Sequence, residues 1–406
     1  MRGPGLVAAL GVAVLLSSPA GTASDDRAQA RPEEYKRAGE EALEYRGPGR
    51  ELPEPDVDEV VLGWFGPGDP NHPTGGGFWR GATLALEGLD AAGGHRGRPY
   101  RLQPGWSENP WGTGVVLVTR MVFEDGAWAL LGAIDGASAH LAEQVALKTR
   151  VTLLSSGSTD DTAHMASVPW IFSLVPSDEV QMPVLVTALA AASRGGPFAV
   201  AAAAEHDAHA ALVELRRGLA SRRLTPSTLL EFDPVEGDLD PLAARLLEGS
   251  PGAIVVLAPP VPAARLVKTL RRRGYAGELM GGAPLALNAF QRAAGAAAEG
   301  VVVPLLWQPS PRWDSFARMY ENQWGERPDH AATWSYDAVR LVADAVERAG
   351  LNRARIRDAV RELSPWTGAG GVVRWDALGR NRAPVGLATW VKGQLRPMTP
   401  PDSMER

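Results

Sequence analysis

The sequence predicts an α/β protein with two lobes, each built on a mainly parallel sheet that helices cover on both faces. Short aliphatic runs alternate with amphipathic helical stretches from residue 57 onward, which is typical of parallel sheets. The alternation forms two consecutive series of similar length, and this indicates two lobes. The chain has 406 residues, enough for two cores of roughly 100–200 residues each.

The first series predicts four strands joined by helices. Its first helix places Phe78, Ala82 and Ala85 on one face, and Gly93 and Gly94 would end it. The expected strands are 57–65, 98–106, 128–135 and 151–155, and the expected helices are 78–94, 112–126 and 138–150.

The second series repeats this pattern after residue 178, and a third group of elements follows it. The expected helices of the second series are 179–193, 208–222, 238–248 and 262–273, and its strands are 198–204, 227–232, 252–258 and 278–282. A strand at 301–307, helices at 312–325, 331–349 and 353–363, and a hairpin of 371–379 with 384–393 complete the expected elements.

The N-terminus predicts export from the cytoplasm. Arg2 precedes the apolar run Leu6–Leu16, and small residues follow up to Ala23. This order is typical of a signal peptide, here 1–23, with cleavage after Ala23. Eleven apolar residues are too few for a membrane span, which needs about 20. We therefore expect a periplasmic protein without stable membrane insertion after cleavage.

Composition excludes several classes of function. The chain has no cysteine, so disulfides, thiolate catalysis and a lipid anchor on cysteine are excluded. The formal net charge is −6 and no basic stripe is present, so we expect no nucleic-acid partner. Residues 24–56 are rich in charge, proline and glycine. We interpret them as an N-terminal extension outside the main fold, with one helix at 32–45.

Motifs for catalysis, cofactors and metals are weak. The chain has no G-x-S-x-G, H-E-x-x-H or G-x-G-x-x-G motif, so we expect no catalytic residue and no cofactor. His206, Asp207 and His209 would need a further metal ligand, so we interpret them as a polar helix cap and expect no metal site. Asp160 and Asp161 would form a catalytic pair or, more simply, favour the start of a helix.

The strongest local signal for a binding site is VTLLSSGSTDD, residues 151–161. A buried strand breaks there into Ser156, Gly157, Ser158 and Thr159. Small hydroxyl and glycine residues before a helix present side-chain donors and backbone N–H groups to a bound group. We therefore expect these four residues to contact a ligand.

Other strand ends of the first series carry similar residues. Parallel sheets bind ligands beyond the carboxyl ends of their strands. Trp64 and Trp106 would form an aromatic wall or belong to the core. The further candidates for ligand contact at these strand ends are Trp64, Phe65, Trp106, Asp135, Gly136 and Ser138.

Several motifs resemble those of a known family. The segments that carry the resemblance are Gly66-Pro67, Gly81-Ala82, Asp90–Gly94, Gly97–Pro99, Leu130–Ala139, Ile171–Asp178 and Tyr336–Gly350. In this order they resemble the branched-chain amino-acid-type, Leu/Ile/Val-binding-like periplasmic solute-binding proteins of ABC transporters.

The resemblance implies the type I periplasmic binding fold. Its two Rossmann-like lobes are joined by a hinge of three crossings and close on a ligand. The implied first lobe is 57–174 with 305–366, and the implied second lobe is 175–304 with 367–398.

The resemblance also implies roles for residues of the cleft. Thr159 and the backbone of Gly157 match positions that hold a ligand carboxylate, whereas a serine ligand of the family falls on Gly136. A tyrosine and the acidic partner of the ligand amine fall near Ala208 and Ala283. We therefore expect a small oxygen-rich or aromatic ligand without an α-ammonium group.

The leading function is a solute-binding protein, not an enzyme. It would bind a small-molecule ligand and deliver it to the permease of an ABC importer. Two alternatives stay open: a ligand-sensing module for a membrane receptor, and an exported α/β hydrolase.

Overall fold

Two separate sheets form the framework of the protein. The computed structural model describes residues 43–398, so the predicted signal peptide at 1–23 and most of the helix predicted at 32–45 lie outside the described residues. The predicted two-lobed α/β architecture with mostly parallel sheets is confirmed. No helix within 43–398 has both the length and the apolar character needed to cross a membrane.

The first lobe contains a five-stranded parallel sheet. Its strands are β1 (Val60–Phe65), β2 (Tyr100–Gly105), β3 (Ala129–Gly132), β4 (Thr152–Ser155) and β5 (Ile171–Ser173), and its helices are α1 (Gly76–Ala91), α2 (Val115–Phe123) and α3 (Gly136–Thr149). The strand order is β2-β1-β3-β4-β5. β1, β3 and β4 are buried along their whole length, as expected where helices cover both faces.

The second lobe contains a seven-stranded sheet. Its strands are β6 (Phe198–Ala203), β7 (Thr228–Phe232), β8 (Ala253–Leu257), β9 (Glu278–Gly281), β10 (Val302–Leu305), β13 (Gly386–Val391) and β14 (Gln394–Pro397). Its helices are α4 (Asp178–Ser193), α5 (His206–Ser221), α6 (Asp240–Leu246), α7 (Pro260–Arg272) and α8 (Asn288–Ala294). The order is β14-β13-β10-β9-β8-β6-β7, with β6 to β10 parallel and β13 and β14 antiparallel.

Three helices follow β10 in the sequence. They are α9 (Pro311–Trp324), α10 (His330–Ala349) and α11 (Arg353–Glu362), and a short ribbon of β11 (Trp366–Thr367) and β12 (Val372–Val373) comes after them. α10 packs closely on α1 of the first lobe, where a Cβ on Gly81 would overlap the carbonyl oxygen of Ala332. The residue bounds that we assign to the two lobes stay a prediction.

The predicted C-terminal hairpin forms only around its turn, where Trp375 and Asn381 make an isolated antiparallel bridge. We expected 371–379 to pair with 384–393, but β13 pairs with β14 on one side and with β10 on the other. β12, within the first of those segments, pairs with β11. Lys392 and Gly393, both with positive φ, form the two-residue turn that the twist of a hairpin favours.

The described part of the N-terminal extension packs on the first lobe. The rings of Tyr45 and Trp170 lie 4.6 Å apart between centroids. Arg50 and Asp358 form an ion pair at 2.6 Å. Residues 43–56 are therefore not separate from the main fold, contrary to our expectation, because their aromatic and charged side chains find partners there.

Candidate functional site

A cavity of about 310 Å³ lies between the two lobes. It is bounded by loops at the carboxyl ends of β3 and β4 in the first lobe and of β6, β8 and β9 in the second, where parallel sheets bind ligands. The lining residues are Thr74, Phe78, Ile134, Asp135, Ala137, Gly157, Thr159, Asp178, Glu205, His206, Asp207, Ala208, Ala211, Leu257, Ala258, Pro259, Pro260, Gly282, Ala283, Pro284, Leu287 and His330.

Five of the residues that we predicted as ligand contacts or as family ligand positions line this cavity. They are Asp135, Gly157, Thr159, Ala208 and Ala283. The chain at Gly157 passes so close to its neighbours that a Cβ there would lie 2.6 Å from the carbonyl oxygen of Ile134 and from the ring of Phe78. A side chain at this position would force those neighbours to shift.

The aromatic candidates do not line the cavity. Trp64 is fully buried and donates its indole N–H to the carbonyl oxygen of Pro67 at 3.2 Å. Phe65 is also fully buried and packs on Trp106, with 5.8 Å between ring centroids. Trp64 and Phe65 are therefore core residues, and the expected aromatic wall is not formed at this cavity.

The three candidate serines do not line the cavity and make hydrogen bonds within the first lobe and to α10. Ser138 and Asp135 form a capping box at the start of α3, in which Asp135 accepts the Ser138 N–H at 2.8 Å. The Ser156 and Ser335 hydroxyls lie 3.1 Å apart and are buried. The Ser158 hydroxyl accepts a backbone N–H two residues further on, at 3.3 Å. All three serines hold the local backbone that positions the cavity.

Thr159 already has a carboxylate partner within the protein. Its hydroxyl donates to Oδ2 of Asp178 at 3.0 Å, and the backbone N–H of Asp178 donates to the Thr159 carbonyl oxygen at 3.0 Å. Asp178 is buried at the start of α4. Burial raises the pKa of Asp178 well above its usual range, and the hydrogen bond from Thr159 opposes only part of that shift.

Asp207 reaches across the cleft from the first turn of α5 to the first turn of α3. The backbone N–H of Gly136 donates to its Oδ1 at 3.0 Å and to its Oδ2 at 3.2 Å. A Cβ on Gly136 would overlap Oδ1 of Asp207, so a larger residue would block the contact. Burial, together with the nearby charges of Asp135 and Glu205, raises the pKa of Asp207 to about 7.

The polar lining of the cavity is rich in acids. Asp135, Asp178, Glu205 and Asp207 line it, and no lysine or arginine among the described residues does so. From the sequence we did not expect Asp178, Glu205 or Asp207 to contact a ligand, and we considered Asp207 only as part of a polar helix cap. The available signal was the position of 205–207, which directly follows a strand of the second series and so lies at a ligand-binding edge.

Buried His330 adds one further polar atom to the lining. Its Nδ1 has no hydrogen-bond partner among the residues that the structure describes. Burial lowers the pKa of His330 below its usual value, so the ring is neutral near pH 7. A neutral imidazole can donate or accept a hydrogen bond to a bound molecule.

A cluster of two histidines and one aspartate lies at the rim of the cavity. Nε2 of His206 lies 2.7 Å from Oδ2 of Asp160, and Nε2 of His140 lies 3.1 Å from the same oxygen. Burial acts to raise the pKa of Asp160, but hydrogen bonds from His140, Thr162 and His206 outweigh it and hold the pKa well below the usual range. His206 itself is half-exposed.

The three residues considered as a metal cluster from the sequence do not come together. Nδ1 of His209 bonds the carbonyl oxygen of Glu205 at 3.0 Å, and its Nε2 pairs with Glu231. The cap of α5 is Glu205, which accepts the backbone N–H groups of Asp207 and Ala208. His206 instead turns to Asp160 in the other lobe.

Comparison with known proteins agrees with this architecture. The family model described as "Periplasmic binding protein" matches residues 66–394, most of the chain. No curated protein sequence matches this chain.

Three solved structures illustrate the likeness in fold. The substrate-binding protein of a branched-chain amino acid transporter from Streptococcus pneumoniae, in complex with isoleucine, is 20% identical, with 83% of this chain and 97% of that chain covered and a TM-score of 0.77. A leucine-binding protein from Thermotoga maritima is 17% identical, with 84% of this chain and 98% of that chain covered and a TM-score of 0.75. An ABC transporter solute-binding protein from R. palustris, in complex with benzoate, is 15% identical, with 84% of this chain and 95% of that chain covered and a TM-score of 0.74. Since the family model spans most of its length and its two-lobed fold agrees, this chain belongs to the periplasmic binding protein family.

Proposed function

We propose that this protein is periplasmic, captures a small organic molecule in the cleft between its lobes and delivers it to an ABC importer. Family membership and the transporter proteins of like fold support capture and delivery. The position of the cavity supports it too, because residues of both lobes line the same space. The proposal assigns no chemical reaction to the site, in keeping with a family and a fold of substrate-binding proteins.

We further infer that the ligand is a small organic cation without a carboxylate. The observation that carries this is the contact of Asp207 with Gly136. The N–H group of Gly136, at the start of α3, would suit a ligand carboxylate, but Asp207 already accepts it. The hydroxyl of Thr159 is likewise engaged by Asp178. A ligand carboxylate would have to displace a carboxylate of the protein at both positions.

The acidic lining favours positive charge on the ligand. Four carboxyl groups face a space without lysine or arginine among the described residues, and burial disfavours the ionised forms of Asp178 and Asp207. A cation bound between them would supply the missing partner. Ala208 and Ala283 line the cavity, and we infer that Asp178, Glu205 and Asp207 supply the counter-charge for an amine that we expected from the sequence to be absent.

The remaining lining favours an apolar body on the same ligand. Phe78, Ile134, Leu257 and Leu287 contribute side chains around the acidic groups. The cavity volume is at the lower end of the roughly 300–1,000 Å³ that ligand pockets have. Nδ1 of His330 is available for one further hydrogen bond. A standard α-amino acid fits this lining poorly because of its carboxylate.

Native mass spectrometry of the protein purified from its own periplasm tests the proposal. We expect one small cation to co-purify and to be released by unfolding. The identified compound, added at about 100 times its dissociation constant, should stabilise the fold by about 2.7 kcal/mol, which a melting curve detects. Uptake of that compound should be lost when the gene is deleted. A co-purifying carboxylate would overturn the ligand class, and unchanged uptake would overturn delivery to a transporter.

A further inference from the structure

Three side chains at the rim of the cleft direct potential metal-binding atoms toward one point. They are Nε2 of His140, a carboxylate oxygen of Asp160 and Nε2 of His206, all within 4.8 Å of one another. A tetrahedral zinc site with bonds of about 2.0–2.1 Å has its ligand atoms about 3.3 Å apart. The distances of 2.7 and 3.1 Å from the imidazoles to Asp160 are close to that spacing, so small side-chain rotations suffice to form the site.

The carboxylate at the centre of the cluster is already held in place. Oδ1 of Asp160 accepts the backbone N–H of Thr162 at 2.8 Å and its hydroxyl at 2.7 Å. Oδ2 faces the two imidazoles, and the Thr162 hydroxyl also lies 2.9 Å from this oxygen and 2.8 Å from Nε2 of His140. Hydrogen bonds that fix a metal-binding carboxylate in this way are a regular part of metal sites, because they reduce the cost of ordering it.

The electrostatic surroundings favour a cation. With neutral imidazoles, the three side chains carry a single negative charge from Asp160. Glu205 and Asp207, on either side of His206 in the sequence, add further acidic groups. The side chain of His206 is half-exposed, so an ion can reach the cluster from solvent and keep a water molecule as a further ligand.

We propose that His140, Asp160 and His206 bind one divalent transition-metal ion, best matched by zinc, and that this ion joins the two lobes across the mouth of the cleft. Two imidazole nitrogens and a carboxylate oxygen suit zinc, whereas magnesium and calcium prefer oxygen ligands alone. His140 lies on α3 and Asp160 follows β4, both in the first lobe, and His206 begins α5 of the second lobe.

The sequence did not indicate this site because its ligands are far apart along the chain. From the sequence we considered His206 with its near neighbours Asp207 and His209 and expected no metal site. In the structure His206 lies next to His140 and Asp160 of the opposite lobe. A zinc titration does not need the organic ligand, so the site can be tested before that ligand is known.

Zinc titration of the tag-free mature protein, stripped of metal with a chelator, tests the proposal. We expect calorimetry to show one zinc ion per chain and magnesium to give no binding. His140→Gln and His206→Gln should each weaken zinc binding by at least about 100-fold, because each removes a ligand. His209→Gln is the matched control, a histidine of the same helix outside the cluster, and should bind zinc as the unchanged protein does.

A second readout uses cobalt in place of zinc. Four-coordinate Co²⁺ gives strong visible absorption, which we expect in the unchanged protein and in His209→Gln but not in either ligand variant. Circular dichroism establishes that each variant is folded, and if one is not, the remaining ligand variant decides. Absence of zinc binding by the folded, unchanged protein would overturn the proposal. Retained affinity in His206→Gln would overturn the bridge between lobes.

Discussion

The carboxylate of Asp207 accepts the backbone N–H of Gly136 from across the cleft, at 3.0 Å to Oδ1 and 3.2 Å to Oδ2. The contact joins the first turn of α5 in the second lobe to the first turn of α3 in the first lobe. It puts an acidic side chain of the protein where a helix N-terminus would otherwise attract an anion. The protein's own residues therefore compete with any carboxylate ligand for this position.

Removing that competitor should change which ligands bind. In Asp207→Ala the N–H of Gly136 becomes free, and we expect small carboxylates such as benzoate to bind at least about tenfold more tightly than to the unchanged protein. A hydrogen bond to a charged group contributes about 1.5–3 kcal/mol, which corresponds to at least tenfold. Calorimetry provides the measurement. Asp240→Ala is the control, since Asp240 also lies in the first turn of a second-lobe helix but outside the cavity. Equal carboxylate affinities in both variants would contradict the role of Asp207.

Asp178 should be important for ligand affinity but not for stability. Asp178→Asn keeps an oxygen that accepts from Thr159 but cannot ionise. We expect a cationic ligand to bind at least about tenfold more weakly, because it loses an ion-pair partner. The melting temperature of the ligand-free variant should be equal or higher, since an unpaired buried carboxylate is costly. Asp314→Asn, an exposed helical aspartate, serves as control. Lower stability with unchanged affinity would assign Asp178 a structural role only.

Affinity for a cation should rise with pH. Burial raises the pKa of Asp178 in the free protein, and a bound cation favours its ionised form, so binding must displace a proton at low pH. The affinity should increase by up to about tenfold per pH unit below the raised pKa and level off above it. The stability of the ligand-free protein should change with pH in the opposite direction. The contribution of Asp178 to stability is complete below the pKa that its carboxyl group has in the unfolded chain, and it is lost as the pH rises through the raised pKa of the folded protein. Calorimetry between about pH 5 and pH 8 measures the slope, which should be smaller in Asp178→Asn. An equal slope in both proteins would argue against Asp178.

Two glycines of α1 should respond to alanine in opposite directions. At Gly81 a Cβ would overlap the carbonyl oxygen of Ala332 in α10, so Gly81→Ala should lower the free energy of unfolding by about 1–3 kcal/mol. A Cβ on the exposed Gly88 would have no heavy atom within 4 Å. Gly88→Ala should therefore raise stability by about 0.5–1 kcal/mol through better helix propensity. Urea unfolding measures both, and a Gly81→Ala protein as stable as the unchanged one would show that the α1–α10 contact is not so close.

The sequence predicted the framework well because hydrophobic periodicity is a local property. Most strands and helices that carry the cavity were expected within a few residues, but the short helical segments between 283 and 294 were not. Gly157 and Thr159 were named because small polar residues directly follow a buried strand. Trp64 was ambiguous, since an aromatic residue at a strand end has the same local pattern in a core as in a site. Its burial depends on α1, through contact with Trp79 at 5.9 Å between ring centroids.

The contacts between lobes could not be predicted, because they join residues that are distant in the sequence. Asp207 had the local pattern of a helix cap, which Glu205 provides instead. Its partner Gly136 was expected to contact a ligand, at a position where the family has a serine, and not to contact the other lobe. The contact between Asp207 and Gly136 depends on how the two lobes pack against each other. Hydrophobic periodicity in the sequence does not predict that packing.

The most direct test of the account compares ligands that share a carbon skeleton and differ in charge. Calorimetry with 3-methylbutylamine, leucine and 4-methylpentanoate, and in parallel with benzylamine and benzoate, separates charge from shape. We predict that the amine binds more tightly than the acid of the same series by at least about tenfold, and more tightly than leucine, because acidic residues line the cavity and Asp207 occupies the position for a carboxylate. Tighter binding of leucine or of either acid than of its matching amine would contradict the account.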